Sequence, residues 1–141
     1  MLIATQLAAA ALLTLAMTIV HGAGVAGIAH GLGLDRRRIA GGFHLRTVVI
    51  LAAVALMLLG LHLIEIALFG LFYYAVGAIG SLEEALFVST SAYSTLGHAE
   101  YVFPVEWRLL GAIEGVVGFL MLGWSTAFFV TDMNKLLREP S

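Results

Sequence analysis

The chain has 141 residues, of which 61% are hydrophobic and 11% are charged, whereas soluble domains carry about 25% charged residues. It contains no cysteine, which excludes disulfides, thiolate metal ligands and cysteine nucleophiles. The formal net charge of -2 gives no indication of nucleic-acid binding.

The first apolar segment runs from Leu2 to about Ile28, and residues 1–34 contain no Asp, Glu, Lys or Arg. A membrane-spanning helix needs about 20 mostly apolar residues, so one crossing is predicted here. The segment has neither a basic start nor a clear small-residue cleavage site. We therefore expect a retained helix and not a removable signal peptide.

A second apolar segment runs from Thr47 to about Tyr74 and is interrupted by His62 and Glu65. These two side chains share one helix face because they are three residues apart. A hydrogen bond within the helix is the favoured interpretation, since a metal site would need further ligands at the same depth. A haem held by two embedded histidines would have to use His21 and His62, and the sequence disfavours it.

Two apolar helices of different length follow, joined by a turn. Ser81 and Glu84 have the spacing of a capping box and predict a helix over residues 82–93, which is too short to span a membrane. Residues 95–104 form a polar, turn-rich connection, and the last span covers 107–130. Non-helical backbone at membrane depth is tolerated only where protein buries it or where it lines water. This order therefore predicts a re-entrant pore loop and a permeation path.

The basic residues indicate the topology. With three spans and one re-entrant segment, only Arg108 lies on one side of the membrane. All the others lie on the opposite side: Arg36, Arg37, Arg38, Arg46, Lys135 and Arg138. By the positive-inside rule the C-terminus is cytoplasmic and the N-terminus is outside, and we expect a prokaryotic inner membrane. The three adjacent arginines are also a candidate site for anionic lipid headgroups.

Residues 95–100 read Thr-Leu-Gly-His-Ala-Glu and align without a gap on the pattern T-V-G-Y-G-D. Pro104 and Trp107 follow at a familiar spacing. Gly118 and Gly123 match a flexible glycine and a small packing residue, and both are candidate hinge positions of the inner helix. From the second span onward, the chain thus resembles the two-helix potassium channel family with one additional helix in front. The resemblance implies an all-α homotetramer with a pore helix, a filter loop and inner helices around a central cavity. It also divides the chain into an N-terminal helix with a basic loop (1–46), a pore domain (47–131) and a short cytoplasmic tail (132–141).

The resemblance implies a set of ion-coordinating filter residues: Ser94, Thr95, Leu96, Gly97, His98 and Ala99. Ala99 replaces the second glycine of the pattern, and an alanine held at positive φ costs about 1 kcal/mol. His98 replaces the tyrosine. We therefore expect Thr95 to Gly97 to keep a ring of oxygen ligands and the outer half of the filter to be wider and more hydrated. His98 either packs behind the filter or senses protons, and Glu100 either forms a carboxylate ring at the outer mouth or is a solvated loop charge.

Glu114 lies about two turns into the last span, where an ionisable residue usually faces protein or water. It either supports the back of the filter or faces the cavity, and a rotation of the helix separates the two. The chain has no enzymatic motif, so the predicted function is a tetrameric channel for monovalent cations, with K⁺ as the expected permeant ion and no other cofactor. A nonselective or Ca²⁺-permeable channel and a non-conducting accessory or scaffold protein are the alternatives.

Overall fold

A computed structural model of the protein describes residues 3–33, 45–97 and 103–137. These residues form helices and turns, and no strand occurs among them. The elements in chain order are α1 (Ile3–Gly31), α2 (Leu45–Ala75), α3 (Leu82–Tyr93), a 3₁₀ turn (Val105–Trp107) and α4 (Arg108–Leu137).

Three of the helices are long and apolar enough to cross a membrane. Helices α1, α2 and α4 contain 29, 31 and 30 residues. At about 1.5 Å per residue, each exceeds the hydrocarbon thickness of about 30 Å. Helix α3 has 12 residues and is only about 18 Å long. The predicted all-helical class and the three membrane-length helices are therefore confirmed.

The start of α3 follows the sequence prediction. Ser81 is the N-cap residue in an extended conformation, and its hydroxyl oxygen accepts a hydrogen bond from the Glu84 amide at 3.1 Å. Glu83 and Glu84 lie in the first turn, where negative side chains stabilise the positive end of the helix dipole. The predicted helix over residues 82–93 is confirmed.

Helix α4 extends beyond the predicted end of the last span. It continues past Val130 to Leu137, so the segment assigned to a polar tail begins as helix. Residues 124–139 contain neither glycine nor proline, and nothing in this stretch interrupts helical hydrogen bonding. The fall in hydropathy marks the end of the apolar segment, whereas the helix ends further on.

Helices α2 and α4 each contact both α1 and α3. The core around α3 contains six residues without solvent exposure: Met17, Phe69, Tyr73, Ala85, Val88 and Leu110. At its C-terminal end α3 meets the backbone of α4, because a Cβ atom on Gly118 would overlap the Tyr93 carbonyl oxygen. The short helix is thus held on two sides by membrane-length helices.

Candidate functional site

The end of α3 carries an unusual turn. The Thr95 amide donates to the Ala92 carbonyl at 3.0 Å, and the Leu96 amide donates to the Ser91 carbonyl at 3.1 Å. This pair of bonds is the Schellman motif, in which a left-handed residue, usually glycine, follows the helix. Here the left-handed position is occupied by Thr95, with φ of 61°. A β-branched residue in this conformation is an outlier, and such strain costs about 1–3 kcal/mol and clusters at functional sites.

The turn continues through Gly97, which also has a positive φ, of 69°. Thr95, Leu96 and Gly97 are exposed in the single chain. The Ser94 hydroxyl instead donates to the Thr90 carbonyl at 2.7 Å, so its proton is used within α3 and only its oxygen lone pairs stay available to a ligand. The first four predicted filter residues therefore lie on one short turn.

The outer half of the predicted filter and the basic loop lie outside the described residues. This applies to His98, Ala99 and Glu100, and to Arg36, Arg37 and Arg38.

A cavity of about 760 Å³ opens beside the turn. Ser91 and Thr95 line it from α3 and the turn, and α4 lines it with Arg108 at its start and with apolar residues that include Val116 and Phe119. Val116 and Phe119 remain 63% and 67% exposed, so this face of α4 has no partner among the described residues of the chain. The polar turn and an apolar helix face thus border the same open space.

Glu114 does not face this cavity. It is fully buried, and its carboxylate lies 2.7 Å from the Tyr73 hydroxyl and 2.5 Å from the Ser89 hydroxyl. The same Ser89 hydroxyl lies 2.8 Å from the Ile66 carbonyl oxygen. A single hydroxyl proton cannot serve both acceptors, whereas a protonated Glu114 can donate to Ser89 while Ser89 donates to Ile66. Of the two orientations left open by the sequence, the structure has the one in which Glu114 packs behind α3.

Glu65 forms a second buried polar cluster. His21 Nδ1 lies 2.7 Å from one carboxylate oxygen, while His62 Nδ1 lies 3.1 Å and the Tyr93 hydroxyl 2.5 Å from the other. His62 Nδ1 also lies 2.7 Å from the Tyr93 hydroxyl. The predicted contact between His62 and Glu65 within α2 is confirmed. The two residues from α1 and α3 were not predicted to join it.

One sequence signal could have found the partners on α3. Ser89 and Tyr93 are four residues apart, so they lie on the same face of a short, mainly apolar helix. A polar stripe on such a helix needs polar partners when it is buried, and the two spans beside it carry Glu65 and Glu114. His21 offers no such signal, because its position relative to Glu65 depends on how α1 packs.

Gly118 and Gly123, the two predicted hinge positions, have different surroundings. A Cβ on Gly118 would lie 2.9 Å from Tyr93 Cγ, whereas a Cβ on Gly123 would have no atom within 4 Å. Helix α4 is continuous through both positions. Gly118 therefore permits the close contact between α4 and α3, whereas Gly123 has no such role among the described residues.

These features fit an all-α membrane protein in which a short, capped helix is anchored between spanning helices by two buried carboxyl groups. Comparison with family models, with curated proteins and with solved structures finds no match to the chain. Its function must therefore be inferred from the geometry and chemistry of its own residues.

Proposed function

We propose that this protein is the subunit of a tetrameric cation channel of the potassium channel type. The observation that carries the proposal is the strained, exposed turn Thr95–Gly97 at the end of a short helix that two membrane-length helices hold in place. Strain of this kind persists where the surrounding structure enforces it and is common at functional sites.

The oxygen atoms of the turn provide the chemistry. The Thr95 hydroxyl and the carbonyl groups of residues 94–97 are uncharged oxygen ligands, which replace the water around a permeating cation in channel filters. The C-terminal end of α3 lies next to the turn and carries the negative end of the helix dipole. Both features stabilise a cation and neither stabilises an anion.

A single chain supplies one turn and cannot surround an ion. The exposed α4 face with Val116 and Phe119 leaves the cavity beside the turn open, and further copies would close it. Homo-oligomers usually have closed symmetry, and the resemblance to potassium channels implies four copies around a central axis. In this arrangement α4 is the inner helix and α3 the re-entrant pore helix.

The buried carboxyl groups support the proposal because a filter has to be held in position. Glu114 binds Ser89 in the middle of α3, and Glu65 binds Tyr93 at its end. Tyr93 directly precedes Ser94, the first predicted filter residue. Polar contacts in a low-dielectric interior are costly to break, so the two clusters fix α3 against α2 and α4.

The outer filter residues set the expected selectivity. With Ala99 and His98 in place of glycine and tyrosine, we expect K⁺ to permeate with weaker discrimination against Na⁺ than a T-V-G-Y-G sequence gives. Four copies of Glu100 would concentrate cations at the outer mouth. The N-terminus and the turn face outside in this proposal, and the basic loop and C-terminus face the cytoplasm.

The proposal is tested by ion flux from liposomes that contain only this protein. We expect K⁺ efflux, and we expect it to fall at least tenfold in Thr95→Val, which removes the hydroxyl but keeps a β-branched side chain at the strained position. Thr18→Val is the matched control, since the Thr18 hydroxyl bonds only to the Thr14 carbonyl of its own helix among the described residues. A permeability ratio of K⁺ over Na⁺ from the reversal potential then distinguishes K⁺, nonselective and Ca²⁺ permeation.

Absence of flux from a folded, oligomeric wild type would contradict the proposal and favour the accessory or scaffold protein. Equal flux in wild type and Thr95→Val would mean that the permeating ions do not pass along this turn. The orientation of the chain in the membrane can be tested independently. A single cysteine introduced into this cysteine-free chain is labelled by a membrane-impermeant reagent only from the side of the membrane on which it lies.

A further inference from the structure

Three metal-ligating side chains from two membrane-length helices meet at one buried point. His21 of α1 and His62 and Glu65 of α2 each place a donor atom within 4.8 Å of the other two. His21 and Glu65 have no solvent exposure, and His62 retains 9%. Two imidazoles and one carboxylate are a ligand set that proteins use for Zn²⁺ and for other first-row transition metals.

We propose that His21, His62 and Glu65 bind one divalent transition-metal ion of the Zn²⁺ class. The site is separate from the filter turn and does not depend on ion conduction. Both histidines direct Nδ1 at the carboxylate, at 2.7 and 3.1 Å. Ligands about 2.0 Å from a tetrahedral ion are about 3.3 Å apart, so each histidine nitrogen has to move away from the carboxylate by about half an ångström or less. The three donor atoms, which now lie within 4.8 Å of one another, would then surround the metal at that spacing.

Tyr93 offers a fourth oxygen beside this site. Its hydroxyl lies 2.5 Å from Glu65 and 2.7 Å from His62 Nδ1. The Glu65 carboxylate supplies one negative charge to the ion, and this matters because an uncompensated charge inside a membrane is costly.

One ring nitrogen of the cluster has no partner. His21 Nε2 is buried and has no hydrogen-bond partner among the described residues, although buried polar atoms are nearly always satisfied. When Nδ1 donates to Glu65, Nε2 is an acceptor without a donor. The protein groups described around His21 therefore do not satisfy both nitrogens of its imidazole.

His62 is the most accessible of the three ligands, because its side chain retains 11% exposure whereas those of His21 and Glu65 have none. A bound ion would join α1 and α2 directly to Tyr93 at the end of α3. The metal would therefore fix the first helix to the residue that precedes the filter turn.

The first experiment measures Zn²⁺ binding to the purified, detergent-solubilised protein, carrying no histidine tag, by equilibrium dialysis and elemental analysis. We expect one equivalent per chain in the wild type. His21→Asn keeps a donor near the position of Nδ1 but removes the imidazole, and we expect its affinity to fall by at least about tenfold. His30→Asn, on the same helix but outside the cluster, is the matched control and should bind like the wild type.

The proposal is overturned if the wild type retains no stoichiometric Zn²⁺ or if His21→Asn binds it equally well. X-ray absorption at the zinc edge of the wild type gives a second answer that needs no variant to fold. We expect a shell of nitrogen and oxygen ligands with two imidazole contributions, and a spectrum without them also overturns the site. Neither measurement involves conduction, so failure of the metal site is distinguishable from failure of the proposed channel function.

Discussion

Replacing Gly118 by alanine inserts a methyl group where α4 meets the last residue of α3. The new Cβ would overlap the Tyr93 carbonyl oxygen and lie 2.9 Å from Tyr93 Cγ. The carbonyl belongs to the backbone and cannot rotate away, so the two helices have to separate. Overpacking of this kind costs about 1–3 kcal/mol, and we expect the upper end here. Alanine gains up to about 1 kcal/mol of helix propensity over glycine, so the net loss of stability is about 2 kcal/mol.

Gly123→Ala is the matched control in the same helix, because a Cβ there has no atom within 4 Å. We expect this variant to be unchanged or stabilised by up to about 1 kcal/mol. Both free energies of unfolding can be measured by denaturant titration in one detergent, with helicity and tryptophan fluorescence as signals. If Gly118→Ala is as stable as Gly123→Ala, α4 does not approach α3 as closely as described. A loss of conduction in Gly123→Ala without a loss of stability would instead support a hinge at that position.

Four further substitutions, at three positions, test the short helix, its ends and its buried contact with α4 by the same unfolding measurement. Thr95→Gly should stabilise the protein by about 1 kcal/mol, because glycine adopts the left-handed conformation without strain. We expect its K⁺ flux to fall, since the hydroxyl is lost. A destabilised variant would contradict the conclusion that Thr95 is strained in the wild type. Glu114→Gln should stay within about 1 kcal/mol of the wild type, since an amide can accept from Tyr73 and donate to Ser89. Glu114→Ala should lose at least about 2 kcal/mol of stability because the buried Tyr73 hydroxyl loses its acceptor and Ser89 keeps only its bond to Ile66. Equal stability of the two Glu114 variants would refute the buried hydrogen bonds. Ser81→Ala should lose about 1 kcal/mol of stability because its N-cap hydrogen bond is removed. An unchanged free energy of unfolding would mean that the cap does not stabilise α3.

The helices could be predicted because each depends on local features of the sequence. Long apolar segments without proline define the spans, and the Ser81 cap places the start of α3 at the correct residue. The end of α4 was missed because hydropathy falls at Thr131 while helix-forming residues continue. The length of the apolar segment and the length of the helix are thus separate properties, and hydropathy predicts only the first.

The candidate site was only partly predictable. Glu65 and Glu114 stand out because ionisable residues in spans are costly and usually have a specific partner. The sequence identified one partner, His62 for Glu65, because the two lie three residues apart in one helix. A contact between residues 44 positions apart, as for His21 and Glu65, depends on how the helices pack and could not be identified. The φ of Thr95 was also unpredictable, because threonine rarely occupies the left-handed position that ends a helix.

The packing of α1 gives the first helix a function that the sequence did not suggest. Near one end, the buried Gln6 side chain accepts a hydrogen bond from the Leu109 amide at 3.2 Å, which satisfies a free N–H group in the first turn of α4. Further along α1, His21 contacts Glu65 at 2.7 Å. These two polar contacts, about four turns of helix apart, attach α1 to α4 and to α2 at different depths. Because polar contacts between helices add to van der Waals packing in lipid, these contacts help to define the position of α1, and the Glu65 cluster connects that position to Tyr93 beside the Thr95–Gly97 turn.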